Sequence, residues 1–119
     1  MSREFVHVVS QGVVTEQELD EIVTSSIGLR WAIAGPFQTY HLGAGSGGMP
    51  AFLEHFRRTF EEDIWPSLGA PSLDEPTVTL LSEQAQHFGG TVEQLAARRD
   101  QAIVQLIRTL REIPAPAAK

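Results

Sequence analysis

The chain has no cysteine and no asparagine, one tyrosine, and one lysine, which is its last residue. Without thiols there are no disulfides, thiolate metal sites or cysteine nucleophiles, and the composition fits a cytoplasmic protein. Positive charge is otherwise carried by arginine, and 9 Lys+Arg against 15 Asp+Glu leave a net charge of -6. Nucleic-acid affinity comes from neutralising phosphates, so an acidic chain with no basic stripe is not expected to bind it. The pairs Arg57-Arg58 and Arg98-Arg99 read as solvated helix faces. No apolar run approaches the ~18 residues of a membrane helix, and no charged-then-apolar leader opens the chain, so no membrane partner is expected.

What is present fits a folded domain. The chain has 119 residues and 42% hydrophobic content. That predicts a single domain over residues 1–113, with a frayed Pro/Ala tail at 114–119. Residues 2–11 are compatible with either a strand or a helix, because Phe5, His7 and Val9 alternate while Phe5, Val8 and Val9 follow helical spacing. Thr15-Glu-Gln-Glu18 is a capping box and starts a helix to about Ser25, with Leu19, Ile22 and Val23 inward and Gly28 marking its end. Pro36 is placed as the first residue of a further helix, since proline is tolerated in a first turn. Residues 43–48 read as a flexible loop and 49–60 as a helix with Phe52, Leu53, Phe56 and Phe60 on one side. Residues 66–76 read as a connector and 77–87 as a helix. Thr91-Val-Glu-Gln94 is a second capping box, opening a helix to about Ile113 whose Ile103, Leu106, Leu110 and Ile113 form an apolar seam.

Candidate chemistry is sparse. Gly43-Ala-Gly-Ser-Gly-Gly48 matches G-x-G-x-x-G as a string. A dinucleotide site, however, needs a strand before the string and a βαβ unit around it, and neither is in evidence. No cofactor-binding residue is therefore assigned and no cofactor is expected. His7, His41, His55 and His87 lack metal-ligand spacing and no cysteine can complete a site, so no metal is assigned. Trp31 offers a flat face to a cation or an acyl chain, and Arg30 can pair with a carboxylate. The plain reading of Trp31 is core packing. Gly35-Pro36-Phe37 reads as a device that sets a helix start. Histidine titrates near neutrality and can shuttle protons, which makes His41 the candidate catalytic group; the plain alternative is that it lines or caps a helix end.

The run Gly28-Leu-Arg-Trp-Ala…Gly35-Pro-Phe…Thr39-Tyr-His-Leu42 resembles the helical C-terminal domain of the 3-hydroxyacyl-CoA dehydrogenase family, above all its carnitine 3-dehydrogenase branch. Arg3 to Thr15, Glu18-Leu-Asp20, Phe52-Leu-Glu-His-Phe56 and Gly89 to Asp100 are similar to the same branch, in the same order. The resemblance implies an all-α fold, shared with the 6-phosphogluconate dehydrogenase C-terminal domain, and makes residues 2–11 a helix. It also implies a role as a dimerisation element, hence a homodimer.

Only 27 residues precede the run, where such enzymes carry a whole nucleotide-binding domain. The family's catalytic His-Glu pair and Ser lie in that domain, and its Asn lies on the first helix of the helical domain; this chain has no Asn. The expectation is therefore the helical substrate-binding and dimerisation half of an NAD-dependent dehydrogenase, inactive as an oxidoreductase alone and served by a separate Rossmann-fold subunit. The alternative is a free-standing cofactor-independent cyclase, isomerase or lyase, or a small-molecule binder, that reuses the scaffold. Met1 as a start and the Pro/Ala tail as an end motivate it. In either case a small-molecule site would be lined by Arg30, Trp31, Phe37 and Tyr40, with His41 catalytic. Carnitine, a quaternary ammonium carboxylate, suits these residue types.

Overall fold

The computed structural model describes residues 1–115; the last four residues of the expected tail lie outside the described residues. Every regular element among the described residues is helical, as the sequence implied. The chain forms two compact units, Met1–His87 and a second that starts at Phe88, so a boundary falls within the span expected to be one domain.

The first unit holds helices α1 (Ser2–Ser10), α2 (Glu16–Ser25), α3 (Ile27–Trp31), α4 (Pro36–Gly43), α5 (Gly48–Arg58), α6 (Trp65–Ser67) and α7 (Glu75–Ala85). Local chemistry sets their starts. The Thr15 Oγ1 accepts from the Glu18 N–H at 3.2 Å and the Thr15 N–H donates to Glu18 Oε2 at 2.9 Å, which closes the expected capping box of α2. Such a cap contributes ~1 kcal/mol. Asp74 caps α7 by accepting from the Thr77 N–H at 3.0 Å, and Pro76 sits in that helix's first turn, so the 66–76 connector shrinks to residues 68–74. Hydrogen bonds from Thr77, its side chain first and then its backbone, hold the Asp74 carboxyl below its ordinary value.

The readings of Gly28 and Ile22 also change. Gly28 lies inside α3 rather than ending α2. A Cβ there would stand 2.9 Å from the Val23 carbonyl oxygen, so glycine lets α3 turn back across the end of α2. Ile22, expected inward, is 51% exposed, while Leu19 and Val23 of the same helix, which packs on α3 and α7, are half-buried.

Packing joins α4 to α5, α2 to α3 and α7, and α1 to α7. Long-range hydrogen bonds add to this: the Glu16 N–H donates to Gln84 Oε1 at 2.8 Å and pins α2 to α7, and the Gly69 N–H of the connector donates to Glu4 Oε2 of α1 at 2.8 Å. After α5 the helix continues through a widened π turn, Thr59–Ile64, into α6. Among the described residues the buried apolar side chains are Val9 (3% exposed) and Phe52 (8%).

In the second unit, Thr91 caps helix α8 (Val92–Glu112) through a full capping box with Gln94, at 3.1 and 2.9 Å. The helix ends just before Pro114, as expected, and residues 114–115 have no regular structure. Along its C-terminal half, Ile103, Val104, Leu106 and Ile107 are each more than 40% exposed, while Leu110 is half-buried.

Candidate functional site

The candidate residues fall on two helices. Arg30 and Trp31 lie on α3, which packs on α2, and both side chains are exposed. Phe37, Tyr40 and His41 lie on α4, which packs on α5. No ring contact or hydrogen bond among the described residues ties the side chains of Arg30 or Trp31 to those of α4.

Helix α4 is positioned as the sequence suggested. Gly35 is its extended N-cap and Pro36 its first residue. The Thr39 hydroxyl donates back to the Gly35 carbonyl at 2.9 Å and tightens this first turn. Successive helical residues point about 100° apart, so Tyr40 and His41 serve different neighbours. The Tyr40 ring stacks on Phe52 with centroids 5.0 Å apart and planes 16° apart, and meets Phe37 edge-on at 6.2 Å. From Phe52 the rings run on to Phe56 at 4.8 Å, Phe60 at a further 6.2 Å, and Trp65, stacked on Phe60 at 6.2 Å. This aromatic row has a buried middle and open ends: Phe37 is 76% exposed and Trp65 61%.

The row was only partly visible beforehand. The spacing puts Phe52, Leu53, Phe56 and Phe60 on one side of the helix; Leu53 instead is 46% exposed, and nothing in a single sequence pairs the phenylalanines with Tyr40. Trp65 joins because the π turn holds six residues and changes the register between Phe60 and the end of the helix. The i, i+4, i+8 phenylalanines followed by a tryptophan were the available signal.

His41 reaches across to the start of α5. Its Nδ1 accepts from the Met49 N–H at 3.0 Å. Gly48, buried at the first position of α5, lies against the imidazole with φ of 62°. The residues read as a flexible loop are therefore the end of α4, a 3₁₀ turn at Gly45–Gly47 and the start of α5. A helix rather than a strand precedes the G-x-G-x-x-G string, and His41 fills the space over its last glycine. These residues do not fit a dinucleotide pyrophosphate.

A second polar locus joins α2 and α7. Thr15, Gln17, Gln84 and His87 line a hollow of about 290 Å³. Beside it, Glu16 Oε2 is closed off from solvent with no hydrogen-bond partner. Burial, aided by the Asp20 carboxylate, pushes the Glu16 carboxyl above its ordinary value. Among the described residues no group of His, Asp and Glu is placed to hold a metal ion.

Comparison with known proteins now gives this helical arrangement an ancestry. The family model described as the 3-hydroxyacyl-CoA dehydrogenase C-terminal domain matches residues 1–79. The chain belongs to that family. Among its relatives are the L-carnitine dehydrogenases of Bacillus cereus, 37% identical across 91% of this chain, and of Streptomyces griseus, 36% identical across 97%. That of Oceanobacillus iheyensis is 38% identical across 88% of the chain. The chain spans about a third of the length of these relatives, 33%, 35% and 34% respectively. As a 3-hydroxyacyl-CoA dehydrogenase C-terminal domain, it has no described helix long and apolar enough to cross a membrane.

Proposed function

We propose that this chain is the helical, substrate-side and dimerisation part of a carnitine-type 3-hydroxyacyl-CoA dehydrogenase, that a Rossmann-fold partner domain supplies its nucleotide site, and that the helical part by itself oxidises nothing. One observation carries the reading: nearly the whole chain aligns with L-carnitine dehydrogenases, yet onto only about a third of each. The misfit of residues 43–48 to a dinucleotide supports it. In this reading Tyr40 and Phe37 offer ring surface to the ligand, His41 offers its imidazole, and Arg30 and Trp31 complete the site from α3. The apolar face of α8 supports pairing with a second copy, since covering the exposed part of side chains such as Ile103 and Leu106 is worth about 1 kcal/mol each.

The test is complementation. NADH fluorescence should not change on titration with the chain alone. Mixing the chain with the N-terminal part of the Bacillus cereus L-carnitine dehydrogenase should restore L-carnitine-dependent NADH formation. Saturable NADH binding by the chain alone at tens of micromolar, or an associated but inactive mixture, overturns the proposal.

The fixed seating of His41 favours a second reading, a cofactor-free enzyme or small-molecule binder that uses the same residues. There, His41→Gln abolishes activity and His55→Gln, at a ring packed edge-on against Phe56 at 4.6 Å, does not. Equal losses exclude it.

A further inference from the structure

Helix α5 starts without a side-chain cap of its own: its N-cap is Gly47, and no serine, threonine or aspartate accepts from its first turn. One of the orphan donors there, the Met49 N–H, is satisfied from another helix, by His41 Nδ1 at 3.0 Å. An imidazole nitrogen that accepts a hydrogen bond carries no proton, so the proton of the neutral ring sits on Nε2. Gly48 makes this seating possible. Its φ of 62° is left-handed, and a Cβ there would stand 2.7 Å from His41 Cε1 and 3.0 Å from Nδ1.

We propose that Gly48 and the Met49 amide clamp His41 as the Nε2–H tautomer, so that His41 serves its ligand as a neutral N–H donor to a carboxylate or carbonyl oxygen. In this role Gly48 and Met49 are positioning residues. A ring whose Nδ1 is engaged has a single site left, and that site donates. The clamp stands on geometry alone, whereas the ligand part rests on the site reading proposed above.

The tautomer is read directly by two-bond ¹H–¹⁵N correlation of the histidine rings near pH 8, where an ordinary imidazole is neutral. His41 should show the Nε2–H pattern. The Nδ1–H pattern, or an averaged one, overturns the clamp. Exchange of the Met49 amide gives a second readout. His41→Asn puts Oδ1 where Nδ1 was and should keep the amide protected. His41→Gln, whose polar atoms mimic Nε2, should speed its exchange roughly three- to tenfold, the range expected for one net hydrogen bond. Gly48→Ala should do the same; if it does not fold, the Asn and Gln pair still decides. Equal exchange in those two overturns the clamp. For the ligand part, L-carnitine should shift the His41 Nε2 resonance and choline, which has the ammonium but no carboxylate, should not. Equal shifts overturn the donor role. No shift with either, while the tautomer is as proposed, leaves the clamp standing and sinks the assignment of His41 to the ligand site.

Discussion

The α4–α5 pair and helix α8 make opposite uses of apolar side chains. Between α4 and α5, Tyr40, Phe52, Phe56 and Phe60 close on one another, and Phe52 is among the most buried side chains described. Helix α8 has the stronger local signals, a complete capping box and 21 residues, yet it leaves Ile103, Val104, Leu106 and Ile107 more than 40% exposed. Capping boxes and helix-forming residues make a helix; they do not bury it. The first region is stabilised by what it touches. The second is specified by its own sequence and presents a surface that a partner can cover.

That contrast can be broken first at Phe52. Replacing it with alanine removes the centre of the aromatic row and should cost ~3–5 kcal/mol, a large share of a small domain's stability. Urea unfolding followed by circular dichroism measures it. A cost under ~1 kcal/mol, far below the usual range for such a truncation, would mean that the row is no more a core than α8 is.

On the other side of the comparison, Leu106→Asp should leave the isolated chain's helix content unchanged and weaken self-association. Leu106 is already about half covered within the chain, so covering the rest is worth about 1 kcal/mol and its loss raises the dissociation constant roughly three- to tenfold. Light scattering on wild type and variant checks this, and a wild type that is monomeric at tens of micromolar removes the second copy as the partner of α8.

Smaller effects belong to the caps. Thr91→Ala and Thr15→Ala each remove a side-chain acceptor from a first turn and should each cost ~0.5–2 kcal/mol of helix stability. If α8 is specified locally, Thr91→Ala should lower its amide protection along the first turns, and Thr15→Ala should not. Hydrogen exchange separates the two.

The smallest effects follow pH and have opposite signs at two carboxyls. Asp74 sits below its ordinary value when folded, so its contribution is present above the unfolded-state value and lost as pH falls through the lower folded one. Glu16 sits above its ordinary value, so its contribution is present in acid and lost as pH rises through the higher folded one. Glu16→Gln should therefore raise Tm by about 1–2 °C at pH 7, a modest figure because the residue as a whole is only partly withdrawn from solvent, and by nothing near pH 3. Thermal melts across pH read this directly, and a gain that persists in acid would rule out the carboxylate's charge as the cause.

What could be read in advance follows the range of the forces involved. The two capping boxes, Pro36 as a first helical residue, and the stop before Pro114 were legible because each depends on atoms within four residues. Ile22 and Gly28 were misplaced because the face a helix buries depends on the neighbour it meets, and that neighbour is not encoded nearby. In the candidate site, the run from Arg30 to His41 was legible as a family-like segment, and so was the start of α4 at Pro36, but not the short helix α3 that carries Arg30 and Trp31.

By itself, then, the sequence determined the starts of α2, α4 and α8, because capping and proline placement are local hydrogen-bond and backbone properties, while its resemblance to the 3-hydroxyacyl-CoA dehydrogenase family implied the all-α fold that periodicity left open at residues 2–11. Only the tertiary structure decided that Tyr40 lies on Phe52 and that His41 caps α5 over Gly48. Both contacts depend on how the chain turns between α4 and α5, and a left-handed glycine, not a pattern of residue types, sets that turn.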